Sequence, residues 1–161
     1  MSWTPPRTWL AGEGPAAAVL NQHLRDNLKA LTEFDDSWSP AWQSSNGNFN
    51  LGTSTSDGHY VHAGEFVWYE AQTILAGITQ GSGDLQLVLP VASSAAFARP
   101  MGELCIISGS TFYHRQLSSV GSATVMSCFA QDGTRVVTNT ATPVALANNM
   151  RLSVRGWYRT T

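Results

Sequence analysis

Charge is what this 161-residue sequence has least of. Only 12% of its residues are Asp, Glu, Lys or Arg, against ~25% in a typical soluble domain. Lysine is nearly absent, with Lys29 alone beside eight arginines, and the formal net charge is −2. Counterion release from nucleic acid needs a basic footprint, so no nucleic-acid partner is expected. Cysteine is scarce as well. Cys105 and Cys128 are too few for a disulfide scaffold, and each lies in an apolar strand-like run where a buried free thiol is the default. No apolar run approaches the ~18 residues of a membrane-crossing helix, so no membrane insertion is expected. The opening Met1-Ser2-Trp3-Thr4-Pro5-Pro6-Arg7-Thr8-Trp9 carries Trp and Pro where a secretion signal has a basic stretch and an apolar run. Synthesis and folding in a cytoplasm are therefore expected.

What replaces charge is 17 Ser, 15 Thr, 14 Gly and amides, around an apolar content of 43%. That is enough to bury a core in one ordinary domain, or in a small domain plus an arm. Three zones follow one another. Residues 1–14 read as an extended arm, because Pro5 and Pro6 exclude a helix interior. Trp3 and Trp9 have no core nearby in sequence, and Trp is enriched where one surface docks on another. Residues 15–34 read as one helix. Gly14-Pro15 opens it, and Leu20, Leu24, Leu28 and Leu31 recur at steps of four, four and three. An isolated helix of ~20 residues is marginal in water. Its leucine stripe must cover the rest of the chain or other copies of itself, and self-association is the preferred reading. Asn21 and Asn27 lie beside the stripe and are placed to set register between helices.

Residues 38–161 read as all-β, with short runs separated by Gly, Asn, Asp, Ser and Pro. Gly58–Ala63 and Phe66–Leu75 flank a tight turn at Ala63-Gly64-Glu65. Asp84–Leu89, Glu103–Ser108, Thr111–Gln116, Ala123–Ala130 and Arg135–Thr138 follow. Residues 150–159 alternate most clearly. Leu152, Val154 and Tyr158 share the face predicted to be core. Arg151, Arg155, Trp157 and Arg159 share the other, predicted to meet another subunit, with Trp68 and Glu70 as partners if their strand lies alongside. About eight strands suggest a jelly-roll-like β-sandwich. The domain division is thus 1–37 for arm and helix and 38–161 for the sandwich.

No motif for catalysis stands out. Asp57-x-His59-x-x-His62-x-x-Glu65 holds four possible metal ligands, but the two histidines are an odd step apart and face opposite sides of a strand. A catalytic zinc needs three ligands converging on one side. Glu70, Asp84 and Glu103 are the acids from which a glycosidase pair could be drawn, and they show no pairing pattern. His114-Arg115 lacks a matching nucleophile signature, and neither a Gly-x-Ser-x-Gly nor a phosphate-binding loop occurs. No cofactor and no enzyme activity are expected.

The stretch from Trp9 through Gly12-Glu13 and Ala16-Ala17-Ala18 to Leu20-Asn21-Gln22-His23-Leu24-Arg25-Asp26-Asn27 resembles a motif of minor tail and other virion appendage proteins of phages infecting actinobacteria. The β-part is similar, more loosely, to small C-terminal domains of such proteins. It opens on Trp38 and Trp42, passes through Gly58, Tyr60, Val61 and Gly64, then Leu89-Pro90-Val91, and ends on Gly156-Trp157-Tyr158. This chain departs from longer tail fibres by running almost directly from helix to β-domain. The Thr usual in the small-residue stretch is replaced by the run Pro15–Ala18. The resemblance implies a structural virion protein, assembled in the host cytoplasm and working as a homotrimer. Trp3, Pro5, Pro6 and Trp9 would anchor it to other virion proteins of tail or capsid. The β-domain would project and meet the host surface, with a surface glycan among its partners. A capsid decoration protein and a carbohydrate-binding or polysaccharide-degrading spike are the alternatives.

Overall fold

The computed structural model describes residues 8, 10–14, 16–28, 36–79, 82–94, 100–118, 124–129 and 144–160. They are mainly β. Nine strands are described: β1 Asp36–Trp38, β2 Trp42–Ser44, β3 Thr55–Ala63, β4 Phe66–Ile74, β5 Leu85–Val88, β6 Pro100–Ser108, β7 Thr111–Ser118, β8 Val125–Phe129 and β9 Arg151–Arg159. All pairings between these strands are antiparallel, and their order across the sheet is β1-β3-β4-β9-β6-β7-β8-β5-β2. The expected run Arg135–Thr138 lies outside the described residues.

The order forces the sheet to curl. β1 and β2 are its two edges, yet only Ser39-Pro40-Ala41 separate them in the chain. A flat nine-stranded sheet would hold its edges ~38 Å apart at ~4.8 Å per strand. The chain from Trp38 to Trp42 spans at most ~15 Å at ~3.8 Å per residue. The result is a half-barrel with its core on the concave side. Side chains cross that interior. The Trp42 indole N–H on β2 donates to Thr73 Oγ1 on β4 at 3.0 Å, and the Tyr69 hydroxyl on β4 meets Met126 Sδ on β8 at 3.8 Å.

Alternation fills the core. Val67, Tyr69, Ala71 and Thr73 point inward from β4, and Leu152, Val154 and Tyr158 from β9, as their spacing predicts. Leu85, Leu87, Leu104, Ile106, Leu117, Met126 and Cys128 complete it from β5, β6, β7 and β8. Gly156 and Gly102 lie in register with Tyr69 across β9 and β6. A Cβ at Gly102 would run into the Tyr69 hydroxyl and the Arg155 carbonyl, so glycine there lets the large ring lie flat on the sheet. Burial pushes the phenols of Tyr69 and Tyr158 and the thiol of Cys128 well above their ordinary pKa. The Tyr158 hydroxyl donates to the Val91 carbonyl at 2.8 Å and accepts from the Val91 N–H at 3.1 Å, pinning the segment after β5 to β9. β3 and β4 are joined by Gly64-Glu65, with Gly64 at φ 62°, the positive value a two-residue hairpin of this hand requires.

Of the helix expected over 15–34, residues 17–28 are helical, and 29–34 lie outside the described residues. Ala17–Leu20 form an α-helical turn, and Asn21–Asp26 continue with the wider i→i+5 bonding of a π-helix. A four-residue step falls short of that wider turn, so the leucine stripe slants around the helix. Ahead of it, residues 10–13 fold into a turn instead of the extended arm expected. Gly12 supplies φ 81°, the Glu13 N–H donates to the Leu10 carbonyl at 3.0 Å, and the Glu13 carboxylate accepts from the Leu10 N–H at 3.2 Å. Among the described elements, the helix shares no extensive contact with any strand.

Candidate functional site

The convex face of the sheet presents what the core excludes. On β4 the outward residues are Phe66, Trp68, Glu70, Gln72 and Ile74; on β9 they are Arg151, Ser153, Arg155, Trp157 and Arg159. Register sorts them into cross-strand rows. Trp68 stands directly opposite Trp157, and Phe66 opposite Arg159. The Phe66 ring packs 5.8 Å from Trp68 and 6.1 Å from Trp157, centroid to centroid. Within this cluster Phe66 keeps 40% of its surface exposed, Trp68 38% and Trp157 56%. Val61 and Ala63, opposite Trp68 and Phe66 on β3, are buried beside them.

One strand period away runs a charged row. His59 on β3, Glu70 on β4, Arg155 on β9 and Glu103 on β6 are successive register partners. Arg155 donates from Nε at 3.2 Å and from Nη2 at 3.0 Å to Glu103 Oε2. His114 Nδ1 on β7 donates to the other oxygen, Oε1, at 3.1 Å. The Arg155 guanidinium, and then the His114 imidazole, hold the Glu103 carboxyl below the ordinary carboxylate pKa. Glu103 is therefore a fixed, ionised acceptor and an unsuitable general acid near neutral pH. At the hairpin end, Arg159 Nε donates to Glu65 Oε2 at 2.6 Å.

Two shallow depressions adjoin across the Glu70–Arg155 row. One, of about 430 Å³, has Trp68 and Trp157 on one wall and Glu70, Arg155 and Glu103 on the other. The second, of about 360 Å³, is lined by Asp57, His59, Gln72 and Ser153 beyond the same row.

The structure thus brings together Arg155, Trp157 and Arg159 from the predicted outward face, along with Trp68 and Glu70. Arg151 lies at the far end of β9, between Ile74 and Ile107, away from the aromatic cluster. The two arginines nearest the cluster, on the face predicted to meet another subunit, are already paired within the chain with Glu103 and Glu65. Sequence reasoning missed Phe66, although it stands two residues before Trp68 and must share its face. It also left His114 without a role. Asp84 precedes β5, three strands beyond β6, so it pairs with neither Glu70 nor Glu103. His59 is outward opposite Glu70, while His62, in register with Val67, lies on the other face of β3 and is exposed. Cys105 is outward on β6 and Cys128 inward on β8, both free.

On the helix, Leu20 is half-buried, whereas Leu24 is 58% and Leu28 64% exposed. Asn27 is buried, and its amide donates to the His23 carbonyl at 3.2 Å, a bond within its own helix. Leu31, Trp3, Pro5, Pro6 and Trp9 lie outside the described residues. Comparison with protein-family models, with curated proteins and with solved structures found no match to this chain.

Proposed function

We propose that this chain is a structural, non-enzymatic protein of a bacteriophage virion, a short tail appendage in which three copies join through their N-terminal helices. The observation that carries the assembly in this reading is the exposure of Leu24 and Leu28 on a helix that shares no extensive contact with the described strands; the virion role rests on the resemblance of the stretch from Trp9 to Asn27 to virion appendage proteins. Large apolar side chains repeated along a helix are covered in a stable assembly, and copies of the same helix supply a matching surface. The segment with Trp3, Pro5, Pro6 and Trp9 anchors the trimer to the particle, and the β-domain projects.

The last strand, with Arg151, Arg155, Trp157 and Arg159, takes a smaller share of subunit contact in this reading. Arg155 and Arg159 are neutralised within the chain, so the helix stripe holds the trimer. The jelly-roll-like sandwich keeps a narrower meaning. The contacts Trp42–Thr73 and Tyr69–Met126 across the curl of the single sheet support it only as two facing walls.

Gold-labelled antibody against the β-domain, viewed on particles of the encoding phage, tests the location. Label at the tail supports an appendage, and label over the capsid supports the decoration alternative. Deletion of residues 1–14 removes the label while the domain stays folded. Particles that never carry label contradict a virion role.

A further inference from the structure

The convex face carries chemistry that the leucine stripe of the helix does not use. We infer that the two depressions astride Glu70 and Arg155 bind a neutral oligosaccharide, one pyranose stacked on Trp68 and Trp157 and the next held by polar side chains beyond the ridge.

A pyranose has an apolar C–H face and a rim of hydroxyls, and the site has the same division. Trp68 and Trp157 offer exposed ring surface side by side, and Phe66 packs against both. Rings held in this way lose little rotamer freedom when covered. The Glu70–Arg155–Glu103 row lies one strand period away, ~7 Å along the strands, about the width of a sugar ring. Glu103 receives two donors from Arg155 and one from His114. An ionised carboxylate offers about four acceptor positions, so one remains for a hydroxyl. Across the ridge, Gln72, Ser153, His59 and Asp57 add an amide, a hydroxyl, an imidazole and a carboxylate. These groups exchange water for hydroxyls one for one.

Charge argues for a neutral ligand. Asp57, Glu70 and Glu103 outnumber Arg155 around the depressions, so a polyanion is repelled. A protein surface laid on this face would strip water from the whole charged row, whereas the hydroxyls of a sugar can replace the hydrogen bonds lost. The inference stands whether or not the chain is trimeric.

Cellohexaose, mannohexaose and xylohexaose, each titrated into the full chain with tryptophan fluorescence and calorimetry as readouts, test it. At least one binds saturably. Trp157→Ala and Trp68→Ala each weaken that binding about tenfold or more, and Trp157→Phe recovers part of the loss. Phe112→Ala removes exposed apolar surface from the same face outside the depressions and leaves binding unchanged. Leu24→Asp, which breaks the trimer in the reading above, also leaves binding unchanged, so the two ideas fail separately. The inference is overturned if none of the three sugars binds, or if Trp157→Ala binds as tightly as the native chain. It is equally overturned if Trp157→Ala dissociates the trimer, which assigns the face to contact between copies.

Discussion

Thr73→Val removes a single hydroxyl from the middle of the half-barrel. Thr73 is fully buried on β4. Its Oγ1 accepts the Trp42 indole N–H at 3.0 Å and lies 2.9 Å from Ser56 Oγ. Valine keeps the branched shape and loses the acceptor. The Trp42 N–H is then unpaired inside a core that offers no water, at a cost of ~1–3 kcal/mol. The methyl that replaces the hydroxyl returns less than ~1 kcal/mol through apolar burial. The net loss is about 1–2 kcal/mol, and for a domain of this size Tm falls by ~2–8 °C. The location matters as much as the size. Trp42 belongs to edge strand β2, and its bond to β4 ties the two walls of the curl together. Amide exchange in β2 should therefore accelerate more than exchange in β4 or β9. Trp42→Phe in the Thr73→Val background should cost less than it does alone, because the shared bond is already gone. A Thr73→Val chain as stable as the native one, or two fully additive substitutions, would refute the claim that this bond closes the curl.

Three further outcomes are expected. Val154→Asp should unfold the domain, since Val154 is buried between Ala71 and Leu104 on the neighbouring strands and an uncompensated core charge costs several kcal/mol; a far-ultraviolet spectrum that keeps its strand signal would contradict this. Tyr158→Phe loses both bonds to Val91 and should cost ~1–3 kcal/mol in denaturant unfolding, with increased exchange at the Val91 amide; unchanged exchange there would show that the hydroxyl does not pin the segment. Glu103 should titrate below the ordinary carboxylate range when its carboxyl carbon is followed by NMR, and Arg155→Ala should return it toward that range. Because folding depresses this pKa, the contribution to stability is present above the unfolded carboxylate pKa and is lost as pH falls through the depressed folded value. A Glu103 that titrates at or above the ordinary value would remove the proposed Arg155–Glu103–His114 arrangement.

Strand period was the legible part of this sequence. β4 and β9 alternate strictly, so Val67, Tyr69, Leu152, Val154 and Tyr158 could be placed in the core from spacing alone. Gly64-Glu65 and Gly109-Ser110 sit between strand-like runs and mark the two tight hairpins. β1 and β2 were not legible as strands, because three residues carry no period. Without them, neither the edges of the sheet nor its curl can be deduced. The convex site was half legible. Alternation put Trp157 and three arginines on one face, but which acid meets which arginine depends on β9 lying between β4 and β6, a long-range pairing with no local signal. The helix was visible from its leucine steps, while its π-helical widening was not, since no residue type enforces it.

The mass of the native full-length chain in solution, measured by light scattering across a range of concentrations, bears most directly on the assembly proposed for this protein. Three chains per particle are expected for the native sequence, and one for a Leu24→Asp, Leu28→Asp variant whose β-domain remains folded. A native chain that stays a monomer at every concentration, or a double variant that stays trimeric, would contradict the leucine stripe as the surface that joins the copies.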